Sequence, residues 1–283
     1  MTLAAARAHA LQDLMQTIET GEAQAMALEL VLHVAGIDKK DWTRQQHALL
    51  DEEATTKLDQ LIQRIVKGEP LQYVTGEAWF LGLRLTVTPA VLIPRPETEE
   101  LVDWVISHCQ FPIEKLPILE IGTGSGCIAL ALQKRLRKAT VTAIEFSEEA
   151  LNVAKKNAKE TGIHPVFLQG DLLEEHQWAH WPEFSMLISN PPYIPLEEKP
   201  AMENRVTDHE PSLALFVSNE DPLCYYRLLG KLLLSKGLPG AQLFCEMNAK
   251  LAMETTLLLK GMGLQTEVKL DMQGKERMIR AWR

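Results

Sequence analysis

Asn190-Pro191-Pro192-Tyr193 closes an apolar run, residues 184–189, that reads as a buried strand. Neither proline has a backbone N–H, so carbonyls at this point are held outside any regular ladder and stay available as acceptors. The Asn190 side-chain oxygen adds one more acceptor, and Tyr193 offers a flat aromatic face. Oxygens beside a ring suit a planar NH2 group, whose two N–H bonds they capture while its plane lies against the ring. These residue types predict a pocket for an amide or an exocyclic amine, with Asn190, Pro191 and Tyr193 at the chemistry and Pro192 beside them on the substrate. Taken alone, the four residues leave open a plain proline-rich turn at a strand end.

Upstream, Pro117-Ile118-Leu119-Glu120-Ile121 reads as a second buried strand that runs into Gly122-Thr123-Gly124-Ser125-Gly126 and then a helix from Cys127. Strand, glycine turn and helix open a nucleotide-type βαβ unit, in which glycine lets the backbone approach a ligand and the helix start presents unpaired N–H groups. A dinucleotide fingerprint would need its third glycine where Cys127 stands. The spacing Glu120-x-Gly122-x-Gly124-x-Gly126 instead resembles the first motif of S-adenosylmethionine-dependent methyltransferases. Two acids close further strand-like runs. Glu145 ends Thr140-Val141-Thr142-Ala143-Ile144 about 20 residues past the glycine turn, where an acid in such folds accepts from ribose hydroxyls. Asp171 follows Val166-Phe167-Leu168-Gln169-Gly170, where a carboxylate can accept from an adenine amino group. Open α/β sheets bind ligands outside the carboxyl ends of their strands, and all four segments end there.

These segments need a sheet and helices to hold them. From Leu116 onward, strand-like and helix-like runs alternate, predicting a mostly parallel sheet. Residues 264–270 and 277–282 are too close for a crossover helix, so the last pair is expected to be antiparallel. Before the glycine loop, Pro94-Arg95-Pro96-Glu97-Thr98-Glu99-Glu100 places a proline near a helix start and acids in its first turn. Residues 78–87 read as a hairpin around Gly82. The first ~70 residues look wholly helical. Leu58, Leu61, Ile62, Ile65 and Val66 form an amphipathic stripe stopped by Gly68 and Pro70, and an earlier helix ending at Gly36 is apolar almost all round.

At 283 residues, two domains are the natural expectation. No apolar run approaches a membrane span, and the first residues lack the features of a signal peptide, which predicts a cytoplasmic protein. Cys109, Cys127, Cys224 and Cys245 are widely spaced, and His176 and His180 lack the glutamate of a zinc-protease helix, so neither disulfide nor metal is expected. A formal charge of −9, from 38 acids and 29 bases, argues against a broad nucleic-acid footprint and favours a protein partner.

Over almost its whole length the chain resembles the peptide chain release factor N5-glutamine methyltransferases. The resemblance rests on residues 68–76 (Gly-Glu-Pro-Leu-Gln-Tyr-Val-Thr-Gly), residues 92–99 around Arg95-Pro96-Glu97-Thr98-Glu99, and the glycine loop. It also rests on residues 189–194 around Asn-Pro-Pro-Tyr, residues 210–215 and Gly274-Lys275-Glu276-Arg277. Asn-Pro-Pro-Tyr is shared with amino-methyltransferases of nucleic-acid bases, while the Arg-Pro-Glu-Thr-Glu segment and helical amino-terminal region make the narrower match. The resemblance implies a Rossmann-like, mostly parallel seven-stranded sheet with an antiparallel last strand. It implies S-adenosyl-L-methionine as donor and, as acceptor and protein partner, the glutamine of the Gly-Gly-Gln motif in class I release factors. The expected organisation is a helical substrate-recognition domain over residues 1–75, a hairpin linker over 76–90 and a methyltransferase domain over 91–283. Gly122, Thr123, Gly124, Ser125, Gly126, Glu145, Asp171, Leu172 and Asn190 are the expected cofactor contacts. The family usually has Asp where Glu145 stands and an aromatic where Leu172 stands, so a longer arm must reach the ribose and adenine would meet an aliphatic surface. Base amino-methylation, glutamine methylation of another protein such as a ribosomal one, nicotinamide-dependent oxidoreduction and non-catalytic cofactor binding are the competing readings.

Overall fold

The computed structural model describes residues 1–109 and 116–283. The chain forms two compact units, one of residues 1–77 with 203–209 and the other of residues 78–202 with 210–283.

The first unit is helical. Its core is built by α1 (Leu3–Leu14), α2 (Thr20–Ala35), α3 (Trp42–Gln45), α4 (Glu52–Val66) and α5 (Leu71–Thr75). Alanines make the α1 and α2 seam: Ala6, Ala10, Ala23 and Ala27 are all fully buried, and their small side chains let two backbones come close. The apolar-all-round reading of α2 is therefore refined, since Met26, Leu28 and Val34 are only half-buried. Leu58, Leu61, Ile62 and Ile65 of α4 are buried as their spacing predicts, each worth about 1.5–3 kcal/mol. Asp51 caps that helix by accepting the Ala54 N–H at 2.7 Å. At the far end of α4, Arg64 grips Glu69 through Nε at 2.7 Å and Nη2 at 2.5 Å. Its Nη1 also donates to the Val74 carbonyl at 3.3 Å, which pins the segment 68–76. Residues 203–209 join this unit through Arg205, which donates to Glu22 at 2.5 Å.

The second unit opens with β1 (Glu77–Phe80) and β2 (Leu83–Thr86), paired as a hairpin. Leu81 and Gly82 form its two-residue turn with φ of 47° and 71°, the positive pair that a tight hairpin of this twist requires. The Leu81 N–H is held by Glu99 Oε1 at 2.6 Å. Then come α6 (Pro96–Ser107), β3 (Pro117–Ile121), α7 (Cys127–Arg135), β4 (Thr140–Glu145), α8 (Glu148–Thr161), β5 (Val166–Gln169) and β6 (Phe184–Ser189). A two-residue pair, β7 (Ile194–Pro195) and β8 (Phe216–Val217), brackets in the chain α9 (Asn204–Thr207), which belongs to the first unit, and α10 (Ser212–Leu215). The chain ends with α11 (Cys224–Lys236), β9 (Gly237–Glu246), α12 (Ala252–Gly261), β10 (Gln265–Leu270) and β11 (Glu276–Trp282).

Seven strands make one sheet in the order β10-β11-β9-β6-β3-β4-β5. Neighbours from β9 to β5 are parallel, and β11 runs antiparallel between β9 and β10. This is the expected mostly parallel sheet with an antiparallel last strand. Two buried clusters sandwich it. One joins the hairpin, α6 and α7; the other joins α11, α12 and the tryptophans Trp178 and Trp181. Register brings the strand ends into line: Ile121 pairs with Ile144 and Ser189, Ser189 with Cys245, and Glu145 with Gln169. The loops after β3, β4, β5, β6 and β9 therefore leave the sheet at one edge.

Candidate active site

At that edge the second unit contains a cavity of about 340 Å³. The glycine loop, Glu145, Asp171, Leu172 and Asn190-Pro191-Pro192 line it, joined by Arg95 and Thr98 from the start of α6. Four segments read separately in the sequence thus converge on one space.

The glycine loop divides into two roles. A Cβ built on Gly122 or Gly124 would meet no atom within 4 Å, so both backbones face open space. Gly124 has φ of 53°, which also disfavours a side chain there. Gly126 does not line the cavity; a Cβ on it would reach 3.2 Å from the Ala154 Cβ, so this glycine lets α7 pack against α8. Asn157, buried on α8, donates to the Ser125 carbonyl at 2.8 Å and binds both backbone groups of Thr86 at 2.7 and 2.9 Å. It ties loop, helix and hairpin together, and no sequence signal pointed to it.

Acids surround the loop. Glu145 accepts from the Gly124 N–H at 2.8 Å and the Ser147 N–H at 3.0 Å, so its longer arm folds back on the loop while its carboxylate borders the cavity. Each of its oxygens retains a second lone pair. Glu120 is fully buried, and burial pushes its carboxyl up to about 8, against the Thr123 hydroxyl donating to it at 2.8 Å. Asp171 Oδ1 accepts the Leu173 N–H at 2.9 Å, and Leu172 is buried at the cavity wall.

At the Asn-Pro-Pro-Tyr turn, Asn190 Nδ2 donates to Thr98 Oγ1 at 3.1 Å. Oδ1 has no partner among the described residues, and neither has the Pro191 carbonyl. Tyr193 lies outside the cavity lining, where Tyr225 and Phe146 supply the aromatic surface instead. The Tyr193 carbonyl accepts from Asn248 at 3.2 Å and its ring lies 6.0 Å from the Arg277 guanidinium. Burial raises its phenol. Arg95 pairs with the buried Glu210, whose other oxygen accepts the Ile93 N–H at 3.3 Å. That pair explains why residues 92–95 and 210–215 belong to one site. Among the described residues no cluster of metal-ligating side chains occurs, and no helix is long and apolar enough to cross a membrane.

An open α/β sheet with a ligand cavity at its carboxyl edge, a glycine loop and an Asn-Pro-Pro turn defines a methyltransferase. Residues 104–208 match the Methyltransferase small domain and residues 5–76 the PrmC N-terminal domain. The solved methyltransferase from Pyrococcus furiosus aligns at a TM-score of 0.51 with 17% identity, covering 77% of this chain and 95% of that one. The hMettl16 catalytic domain aligns at 0.53 with 17% identity, covering 82% of each chain; both share the fold. The release factor glutamine methyltransferase of Bacteroides thetaiotaomicron is 36% identical over 97% of this chain and 98% of its own length. That of Deinococcus radiodurans is 34% identical over 90% and 89%. The chain belongs to the release factor glutamine methyltransferase family.

Proposed function

We propose that the chain transfers a methyl group from S-adenosylmethionine to the side-chain amide nitrogen of the glutamine in the Gly-Gly-Gln motif of class I release factors. The observation that carries this reading is the unpartnered Asn190 Oδ1 beside the unpartnered Pro191 carbonyl. Two acceptors that no described donor engages suit an uncharged NH2 group. The cofactor supplies an electrophilic methyl on a sulfonium. The cavity's residues fit it: open backbone at Gly122 and Gly124, a carboxylate at Glu145 for hydroxyls, and Asp171 with Leu172 for a base.

An amide nitrogen is a poor nucleophile because its lone pair is delocalised into the carbonyl. Asn190 Oδ1 and the Pro191 carbonyl accept its two N–H bonds, fix its direction and favour the positive charge that develops as it attacks. Positioning of this kind removes roughly 7–11 kcal/mol from a barrier in favourable cases. The amide nitrogen gains the methyl as the S–CH3 bond breaks, with S-adenosylhomocysteine leaving as the neutral thioether, and it loses one proton to water. Pro192 borders the substrate, and Tyr193 holds the turn from behind rather than stacking on the amide. The helical unit reads the release factor away from the chemistry. Radiolabelled S-adenosylmethionine offered with purified release factor, tRNA and DNA tests the reading: label on the factor supports it, and label on nucleic acid alone overturns it.

A further inference from the structure

Asn190 is one end of a buried chain of hydrogen bonds. Its Nδ2 donates to Thr98 Oγ1 at 3.1 Å, and the Thr98 hydroxyl donates to Glu246 Oε1 at the end of β9. Thr98 is 3% exposed and Glu246 1% exposed, so their hydrogen bond is sheltered from bulk water. Proton bookkeeping then settles the orientation of Asn190. A hydroxyl has one hydrogen, and an ionised carboxylate only accepts. With that hydrogen committed to Glu246, Thr98 can only accept from Asn190, so the Asn190 NH2 faces Thr98 and its oxygen faces the cavity. Without the commitment, Thr98 can donate to Asn190 instead. The amide would then turn its NH2 to the cavity, where it repels a substrate N–H.

We infer that Thr98 and Glu246 are positioning residues that hold the Asn190 side-chain oxygen toward the substrate amide. The inference rests on the proposed role of Asn190. Glu246 has no contact with the cavity and acts only through Thr98. The groups around it are mixed. Arg277 from β11 and Arg95 before α6 favour its charge, Glu97 on α6 opposes it, and Tyr193, Tyr226, Cys127 and Cys245 are close enough to feel it. Thr98 lies in the first turn of α6, Asn190 after β6 and Glu246 at the end of β9, so their link exists only where those three elements meet.

The test uses full-length enzyme. Thr98→Val keeps the shape and removes the hydroxyl, and it is expected to lower kcat at least tenfold with S-adenosylmethionine affinity by calorimetry within about twofold. Thr98→Ser restores the hydroxyl and is expected to recover most of the lost turnover. Equal losses in Val and Ser, or none in Val, overturn the inference. A readout independent of any substrate is the Asn190 side-chain 15NH2 resonance pair, assigned by its loss in Asn190→Asp. In Glu246→Gln this pair should shift and exchange faster with solvent, and an unchanged pair overturns the inference even if Thr98→Val fails to fold. If wild-type enzyme leaves the release factor unmethylated while the resonances respond as stated, the substrate reading fails and the positioning chain stands.

Discussion

An Asn side chain can donate or accept, and the proposed chemistry at Asn190 needs it to accept. Asn190→Ala should therefore reduce kcat by about 10² to 10³ while leaving cofactor affinity nearly unchanged, as removal of one preorganised polar group does. Loss confined to cofactor binding would place Asn190 in a different role. Acidity adds a second expectation. Burial raises the Glu246 carboxyl to about 7, the Thr98 hydroxyl and Arg277 opposing it. The acceptor orientation needs the ionised form, so turnover should rise with pH through that region, and the inflection should vanish in Glu246→Gln. A wild-type rate that is flat with pH would detach Glu246 from the chemistry. Asn190, Glu145 and Asp171 were legible in the sequence because each directly follows or ends a strand-like run. Thr98 and Asn157 were not. Thr98 lies 92 residues from Asn190, and Asn157 lies 71 residues from Thr86, so their meaning depends on which elements pack together. Tyr193, read as a stacking face beside the prolines, is not among the residues lining the cavity, where Phe146 and Tyr225 supply the aromatic surface.

At the scale of elements, the loop between β3 and α7 separates a cofactor glycine from a packing glycine. Gly124→Val should abolish S-adenosylmethionine binding in calorimetry while leaving a folded protein, because its side chain enters the open space at the loop. Unchanged affinity would remove the loop from the site. Gly126→Ala should instead lower the melting temperature more than Gly124→Ala. Both strain a positive φ, by roughly 1–2 kcal/mol, but only at position 126 does the new Cβ press on α8. The alternation of strands and helices, the antiparallel final pair and the hairpin were all readable, since periodicity and gap length carry them. Strand order was not, because it follows from how the crossovers pack. The return of residues 203–209 to the helical unit was also hidden, because its contacts, among them the ion pair between Arg205 and Glu22, 183 residues apart, join segments distant in sequence.

For the molecule as a whole, two buried carboxyls shape stability. Glu120 is raised to about 8 and Glu246 to about 7 from an ordinary value of 4.5, chiefly by burial. A raised carboxyl favours folding while protonated, so this contribution is complete below 4.5 and is lost as pH rises through about 8. Urea midpoints should accordingly fall between pH 5 and pH 8, by less in Glu120→Gln than in wild type, and equal slopes would contradict the assignment. The acidic balance of −9 bears on partner choice, since it disfavours a phosphate backbone as the surface that the helical unit is proposed to read. Deleting residues 1–75 should then raise KM for the release factor without reducing cofactor affinity. The central claim is that the acceptor is an uncharged glutamine amide on a folded protein. Mass spectrometry of the tryptic peptide carrying Gly-Gly-Gln, after incubation of intact release factor with enzyme and S-adenosylmethionine, tests it most directly. One added methyl on the glutamine, and none when that glutamine is changed to glutamate, is the predicted result; an unmodified factor beside methylated tRNA or DNA would contradict it.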